Sequence, residues 1–89
     1  MDEKVSRDIL NVRIITPQKK LFEGECKTLS SVNNVGPFDV LPQHENFISL
    51  IRDYIVVRTE SEEKKFEIQE AVLKAETNLV HVFVGIESI

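Results

Sequence analysis

Hydrophobic and polar residues alternate with a period of two along most of this chain. Residues 10–16 alternate in this way, with Leu10, Val12 and Ile14 at every second position. Residues 80–86 repeat the pattern, and their alternate positions are Val80, Val82, Val84 and Ile86. Successive side chains of a β-strand point to opposite faces of a sheet, so this alternation predicts half-buried strands.

Turn-forming residues divide the alternating segments into short pieces. Pro17 ends the first piece because proline cannot donate to a strand ladder. Residues 30–37 (SSVNNVGP) combine asparagine, glycine and proline, which favour turns. The pair Arg52-Asp53 predicts a further turn, and the charged run 60–65 (ESEEKK) predicts a hairpin tip. A helix over residues 43–52 is the weaker alternative, since that stretch is short and uncapped.

We therefore predict an all-β fold, a compact antiparallel β-sandwich or flattened barrel of about eight to ten short strands. Two facing sheets bury each other's apolar sides. This architecture suits a chain of 89 residues, which can build one modest core. We expect a flexible polar arm over residues 1–9 and a single sandwich domain over residues 10–89.

The composition excludes several classes of protein. The chain has 11 basic and 15 acidic side chains and a net charge of −4, whereas nucleic-acid-binding proteins usually present basic patches to phosphates. No apolar run approaches the roughly 20 residues of a membrane-spanning helix. The polar start differs from a secretory signal. The single cysteine excludes an internal disulfide and fits a reducing compartment.

The sequence contains no catalytic, cofactor or metal motif. The glycines are scattered, so none forms a phosphate-binding loop. His44 and His81 lie far apart, without the spacing of metal ligands. Cys26, His44 and Asp39 could be assembled into a nucleophile, a base and an orienting acid, which leaves a small hydrolase or ligand-binding domain as one alternative. Burial of Cys26 in the core is the simpler interpretation, and we predict neither a cofactor nor a metal.

One segment, residues 36–46 (GPFDVLPQHEN), contains more constrained residues than a scaffold requires. It packs two prolines, a glycine and a histidine into a short stretch of loop and strand. A rigid corner between the two sheets would explain this composition. A shaped protein-contact loop would explain it equally well, because binding residues concentrate on loops that a rigid scaffold positions.

Several short motifs have the order and spacing of a known family. They are residues 10–17 (LNVRIITP), 21–24 (LFEG), 36–44 (GPFDVLPQH) and the apolar block 47–51 (FISLI). Together they resemble the amino-terminal β-sandwich of the epsilon subunit of F-type ATP synthases. Residues 71–75 (AVLKA) and 79–84 (LVHVFV) are similar to the closing strands of that domain. The resemblance covers residues 10–87 and implies the same all-β fold.

The chain departs from the family pattern at a few positions. Pro37 replaces an acidic residue, Asp39 and Gln43 replace glycines, and Glu70-Ala71 replaces a glycine pair. Glycine often marks left-handed backbone, so the loop shapes are expected to differ there. The family's carboxy-terminal helical hairpin, which senses ATP and inhibits hydrolysis, has no counterpart in these 89 residues. The resemblance therefore implies a subunit without that inhibitory element.

By the resemblance, the chain is a non-catalytic central-stalk subunit of a proton-translocating ATP synthase. It would couple rotation of the rotor ring to the catalytic head through contacts with the gamma subunit and the c-ring loops. One copy per complex is implied, peripheral on the cytoplasmic face of the energy-transducing membrane, without membrane insertion and without nucleic acid. Carried over by position, the rotor-ring contact falls on Asn34, Val35, Gly36, Pro37, Asp39, Gln43 and His44. A free-standing β-sandwich adaptor that uses the same loop on another partner is the alternative.

Overall fold

Residues 9–85 are described by the structure, a computed structural model, and they form seven β-strands. The strands are β1 (Leu10–Ile15), β2 (Lys20–Cys26), β3 (Thr28–Val32), β4 (Pro37–Val40), β5 (Phe47–Arg58), β6 (Glu63–Glu76) and β7 (Leu79–Val84). Within the described range, no helix is long and apolar enough to cross a membrane.

The predicted domain bounds stay a prediction. The arm over residues 1–9 lies outside the described residues except for Ile9, which is half-buried. Ile86, the last position of the alternating pattern, also lies outside them.

The seven strands form one continuous mixed sheet in the order β2-β1-β7-β6-β5-β3-β4. Every neighbouring pair is antiparallel except β1 and β7, which run parallel from Asn11 beside Leu79 to Ile15 beside Phe83. The all-β prediction is confirmed. The sheet is mixed rather than wholly antiparallel because the last strand inserts between β1 and β6 instead of adding to an edge.

The strand count is lower than predicted partly because β5 continues through Arg52-Asp53, where a turn between two strands was expected. Arg52-Asp53 lies opposite a bulge in β6 and does not form a turn: Asp53 adopts a positive φ of 74°, and the register of the β5–β6 pair shifts there. On β6 the shift skips Gln69. A bulge bends its strand and increases the local twist, so the pair β5–β6 changes direction without ending.

Two other boundaries differ from the sequence prediction. The hairpin between β5 and β6 turns through Thr59–Glu62, where the Thr59 amide donates to the Glu62 carbonyl oxygen at 2.9 Å. The charged residues from Glu63 onward belong to β6. Residues 21–32, whose apolar pattern is that of a single strand, are divided at Lys27 into β2 and β3. Residues 43–52 contain no helix, since β5 begins at Phe47.

The bend divides the sheet into two layers. Layer one contains β2, β1, β7, the second half of β6 and the first half of β5, because β7 pairs with Ala71–Glu76 of β6. Layer two contains the first half of β6, the second half of β5, β3 and β4. The inward side chains of both layers form a single buried cluster: Leu10, Val12, Ile14, Cys26, Leu29, Val40, Ile51, Ile55, Val57, Ala71, Leu73, Ala75, Val80 and Val82.

Two aromatic pairs join the layers at their two open sides. Phe22 of edge strand β2 meets Phe66 of β6 edge-to-face, with ring centroids 6.3 Å apart. Phe38 of edge strand β4 meets Phe47 of β5 in the same geometry, also at 6.3 Å. Each pair therefore connects the outermost strand of one layer to a strand of the other.

Candidate functional site

The hairpin between β3 and β4 presents a rigid tip. Asn33 and Gly36 exchange both backbone hydrogen bonds at 3.1 Å, which leaves Asn34 and Val35 as a two-residue loop. The Asn33 side-chain oxygen also accepts from the amides of Val35 at 2.9 Å and Gly36 at 3.2 Å. Gly36 adopts a φ of 140°, which a residue with a side chain rarely does. The tip is held by its own backbone and by one asparagine.

Asn33 also ties this tip to the first half of β5. Its side-chain amide donates to the Ser49 hydroxyl oxygen at 3.2 Å, and Ser49 lies between Ile48 and Leu50 on that strand. Sequence reasoning began the candidate loop at Asn34 and missed Asn33. The available signal was its residue type, because asparagine side chains commonly bond the backbone two residues ahead.

The large apolar side chains that are exposed concentrate in one stretch of the sequence that includes this tip. Among the described residues they are four: Val35 (96% exposed), Leu41 (52%), Ile48 (70%) and Leu50 (70%). All four fall within residues 35–50, a small fraction of the chain. Single exposed apolar residues need no explanation, but a concentration of them marks an interaction surface.

Sequence reasoning also missed Ile48 and Leu50, which it treated as part of an apolar strand. In β5, Ile51 is buried and faces the core, so the alternate positions 48 and 50 face away from it. The signal was present in the sequence, because a strand whose two faces are both apolar needs a partner on each face. Composition did not say which face the core would occupy.

Gln43 and His44 lie in the connection between β4 and β5. The Gln43 backbone is left-handed, with a φ of 65°, and its amide donates to the Asn78 side-chain oxygen at 2.7 Å. The His44 ring is half-buried and meets Phe47 edge-to-face at 6.1 Å. Its Nδ1 donates to the Glu45 carbonyl oxygen at 2.8 Å, and its buried Nε2 contacts no hydrogen-bond partner among residues 9–85.

Asp39 lies on β4 and belongs to a polar network on layer two. Its carboxylate accepts from the Ser30 hydroxyl, and the Arg58 guanidinium donates to the same hydroxyl at 2.9 Å. Arg58 in turn donates to Glu63 at 3.2 Å. Asp39 thus has a structural partner, and replacing it would disturb β3–β4 pairing as well as any outside contact.

The predicted contact residues are therefore of two kinds. Asn34 and Val35 are exposed at the hairpin tip. In the described part of the chain, the Asn34 side chain forms no hydrogen bond to the fold. Asp39 and His44 have partners or neighbours inside the fold. That any of these residues contacts the rotor ring stays a prediction.

Cys26, His44 and Asp39 do not form a catalytic group. Cys26 is a core residue at the end of β2 and is 3% exposed. Burial raises the pKa of its thiol to about 11, which is opposite to the lowering that activates a nucleophilic cysteine. Asp39 and His44 bond to Ser30 and Glu45 respectively. Over residues 9–85, no three histidine, cysteine, aspartate or glutamate side chains are grouped so as to hold a metal ion.

Comparison with known proteins decides the family. The family model described as ATP synthase, Delta/Epsilon chain, beta-sandwich domain matches residues 9–86. The chain belongs to this family. The resemblance drawn from the short motifs is thereby confirmed, and so is the expectation of a non-catalytic subunit in place of a hydrolase.

Several curated relatives are named ATP synthase epsilon chain. The relative from Clostridium novyi (strain NT) is 31% identical over 71 residues, which is 78% of this chain and 54% of the relative. The relative from Clostridium botulinum (strain Alaska E43 / Type E3) is 27% identical over 78 residues, or 85% of this chain and 58% of the relative. The chain thus spans little more than half the length of these relatives.

Solved structures with the same fold come from mitochondrial ATP synthases. A chain of the Euglena gracilis assembly, described as OSCP/F1/c-ring in rotational state 1, matches with a TM-score of 0.80 at 14% identity, over 86% of this chain and 51% of that chain. A chain of the Tetrahymena thermophila central stalk/c-ring assembly matches with a TM-score of 0.70 at 14% identity, over 84% of this chain and 62% of that chain. At this identity the likeness concerns the fold.

Proposed function

We propose that this chain is the central-stalk epsilon subunit of a proton-translocating F-type ATP synthase, where it couples rotation of the rotor ring to the catalytic head. It does so through contacts with the gamma subunit and the c-ring loops, as one peripheral copy on the cytoplasmic side of the membrane. Family membership and the epsilon-chain relatives support the placement in the complex.

The exposed apolar cluster of residues 35–50 is the observation that carries the proposed contacts. Val35 is almost fully exposed at the tip of a hairpin that Asn33 makes rigid. A preorganised tip loses little conformational entropy when it binds, so an apolar side chain there is suited to a protein contact. In this proposal the rotor-ring loops meet Asn34, Val35, Gly36, Pro37, Asp39, Gln43 and His44.

A charge placed at the hairpin tip tests the proposed rotor contact. We expect Val35→Asp to lower ATP-driven proton pumping about three- to tenfold in membrane vesicles of the organism, because desolvating a carboxylate at a contact costs about 1 kcal/mol or more. The thermal unfolding midpoint of the isolated chain should stay unchanged, since Val35 packs against nothing.

The matched control is Ser61→Asp, at the exposed tip of the hairpin between β5 and β6. Pumping should stay at the wild-type level with this variant. Equal pumping by wild type, Val35→Asp and Ser61→Asp would refute the contact at the hairpin tip. Failure of the wild-type chain to associate with the synthase would refute the central-stalk role itself.

A further inference from the structure

The residues of the proposed rotor contact lie on one short edge strand and at its two ends. Residues 34–36 precede β4, Pro37 and Asp39 lie on it, and Gln43 and His44 follow it. We refer to residues 34–36 and 43–44 as the two contact segments. Strand β4 pairs with β3 alone, at the outer edge of layer two. A short strand with one hydrogen-bonded neighbour opens locally at a low free energy, so the ladder alone anchors the contact segments weakly.

An asparagine side chain ties the first contact segment to layer one. The Asn33 side-chain amide donates to the Ser49 hydroxyl oxygen at 3.2 Å. The Ser49 hydroxyl donates in turn to the Leu50 carbonyl oxygen at 3.2 Å, so its oxygen is oriented to accept from Asn33. Ser49 pairs with Leu73, a fully buried residue in the second half of β6. The bond therefore joins the hairpin of layer two to a fixed position in layer one.

A second asparagine ties the other contact segment to layer one. Asn78 lies in the tight turn between β6 and β7, with left-handed backbone at a φ of 54°. Its side-chain oxygen accepts from the Gln43 amide at 2.7 Å, and its carbonyl oxygen accepts from the Asn11 amide of β1 at 2.9 Å. Asn78 thus connects this segment to three strands of layer one, which are β1, β6 and β7.

An aromatic contact lies between the two asparagines. Phe47, two residues before Ser49 on the same side of β5, meets Phe38 of β4 and the His44 ring edge-to-face, with ring centroids 6.3 Å and 6.1 Å away. Apolar contact is non-directional, whereas a hydrogen bond fixes a distance and an angle. The rings therefore hold β4 close to layer one, and the two asparagines set its orientation.

We infer that Asn33 and Asn78 are positioning residues of the rotor contact: their side chains brace β4 against layer one, so that both contact segments turn with the rest of the sheet. This inference rests on the proposed function, because it explains how a force on these segments reaches the body of the subunit. Neither asparagine has to touch the rotor ring. A contact geometry depends on supporting hydrogen bonds of this kind, which lock the groups that make it.

Paired substitutions separate each bond from the turn in which it lies. Ser49→Ala removes the acceptor of the Asn33 amide and keeps the turn that Asn33 holds, whereas Ser49→Thr keeps the hydroxyl. Asn78→Gly keeps the left-handed backbone and loses the side-chain oxygen, whereas Asn78→Asp keeps an oxygen acceptor and tolerates this backbone. If only the turn geometry matters, all four variants behave alike.

Amide hydrogen exchange of the purified chain, followed by NMR, measures the brace. The β4 amides should exchange about two- to tenfold faster in Ser49→Ala and in Asn78→Gly than in the wild type, because loss of one neutral hydrogen bond shifts a local equilibrium by that factor. The β4 amides of Ser49→Thr and Asn78→Asp should exchange within about twofold of the wild-type rate, since the bond is kept.

The number of protons pumped per ATP hydrolysed, by synthase reconstituted with each variant, measures the effect on coupling. At equal amounts of bound chain, Ser49→Ala and Asn78→Gly should each lower this ratio about two- to threefold, because part of the population has a detached contact segment. The double variant should lower it about four- to ninefold, since separate sites add. Ser49→Thr and Asn78→Asp should restore the wild-type ratio.

Thr59→Ala is the matched control. The Thr59 hydroxyl holds the hairpin between β5 and β6, because it donates to the Glu62 carbonyl oxygen at 3.2 Å and accepts from the Ser61 and Glu62 amides. This variant removes comparable turn bonds outside the proposed contact. The β4 exchange rates and the pumping ratio should match those of the wild type.

The outcomes separate the inference from the proposed function. Failure of the wild-type chain to associate with the synthase overturns the proposed function. If the wild type associates and supports pumping, and Ser49→Ala and Asn78→Gly equal it, the inference alone is overturned. Faster β4 exchange without a lower pumping ratio also overturns the inference, because the asparagines then stabilise the fold without positioning the contact. A loss of pumping in Thr59→Ala as large as in Ser49→Ala has the same meaning.

Discussion

At the scale of single residues, left-handed backbone explains which replaced glycine affects the fold. Gln43, which stands where the resembling family has glycine, adopts a φ of 65°. Asp39 and Glu70-Ala71, which also replace glycines, lie within β4 and β6, and none of them has a positive φ. From the sequence alone these positions could not be distinguished. Replacement of a glycine shows that backbone freedom is reduced, but it does not show whether the fold requires a positive φ at that position.

Asp53 has left-handed backbone at the bulge of the β5–β6 pair. We expect Asp53→Val to lower the free energy of unfolding by about 2 kcal/mol, since a β-branched side chain at positive φ is strained. Asp53→Gly should change it by less than about 0.5 kcal/mol, because glycine adopts this backbone readily. The exposed ion pair with Arg52, at 3.6 Å, contributes little.

Urea unfolding of the two variants measures this difference. Arg52→Val, at the adjacent exposed position without positive φ, is the control and should stay within about 0.5 kcal/mol of wild type. Equal destabilisation by Asp53→Val and Arg52→Val would show that the bend does not depend on this backbone conformation.

The buried thiol of Cys26 makes stability depend on pH in the alkaline range. Its pKa is raised to about 11 by burial, whereas an unfolded thiol has a pKa of about 8.5. As the pH rises between these values, the unfolded chain releases a proton that the folded chain keeps, so folding stability falls. Below pH 8.5 the contribution is fully present.

Chemical unfolding of wild type and Cys26→Ala at pH values from 7 to 10.5 isolates this effect. The stability advantage of the wild type over Cys26→Ala should decrease steadily above pH 8.5, and a thiol reagent should label folded wild type slowly at pH 8. A constant difference across this range would contradict the raised pKa.

At the scale of elements, the sequence predicted strand content well and strand boundaries poorly. Alternation found β1 and β7, because each has one buried and one outward face. It divided β5 at Arg52-Asp53, since a polar pair between apolar blocks looks the same whether the chain turns or bulges. The parallel pairing of β1 with β7 was not predictable from either strand, because register depends on both.

The two aromatic pairs connect strands of the two layers. A double-mutant cycle tests the pair Phe22–Phe66. Phe22→Leu and Phe66→Leu should each lower the free energy of unfolding by about 1 to 2 kcal/mol, because both rings are only half-buried. The double variant should lose about 1 kcal/mol less than the sum, because edge-to-face rings favour each other beyond their buried area.

The pair Phe38–Phe47 supplies the control for that cycle. Combining Phe22→Leu with Phe38→Leu, which belong to different pairs, should give additive losses. Strict additivity of Phe22→Leu and Phe66→Leu would mean that the two rings pack independently.

At the scale of the whole molecule, the candidate site could be predicted in part. The motif resemblance located the β3–β4 hairpin, and the structure gives that hairpin an exposed apolar tip. The outward exposure of Ile48 and Leu50 was not predicted, because it depends on which face of β5 the rest of the sheet covers. The same resemblance led to the family and the non-catalytic role. Length and composition are compatible with that role but do not indicate it.

The insertion of β7 between β1 and β6 has a consequence for how the chain folds during synthesis. Strand β1 leaves the ribosome well before one of its two neighbours, Leu79–Val84, because the other strands lie between them in the chain. Until that strand emerges, no other strand hydrogen-bonds the β1–β2 hairpin to the rest of the sheet. Non-local strand pairing of this kind slows folding. The nascent chain therefore carries unpaired backbone groups along the edges of β1 and β6 until β7 inserts between them.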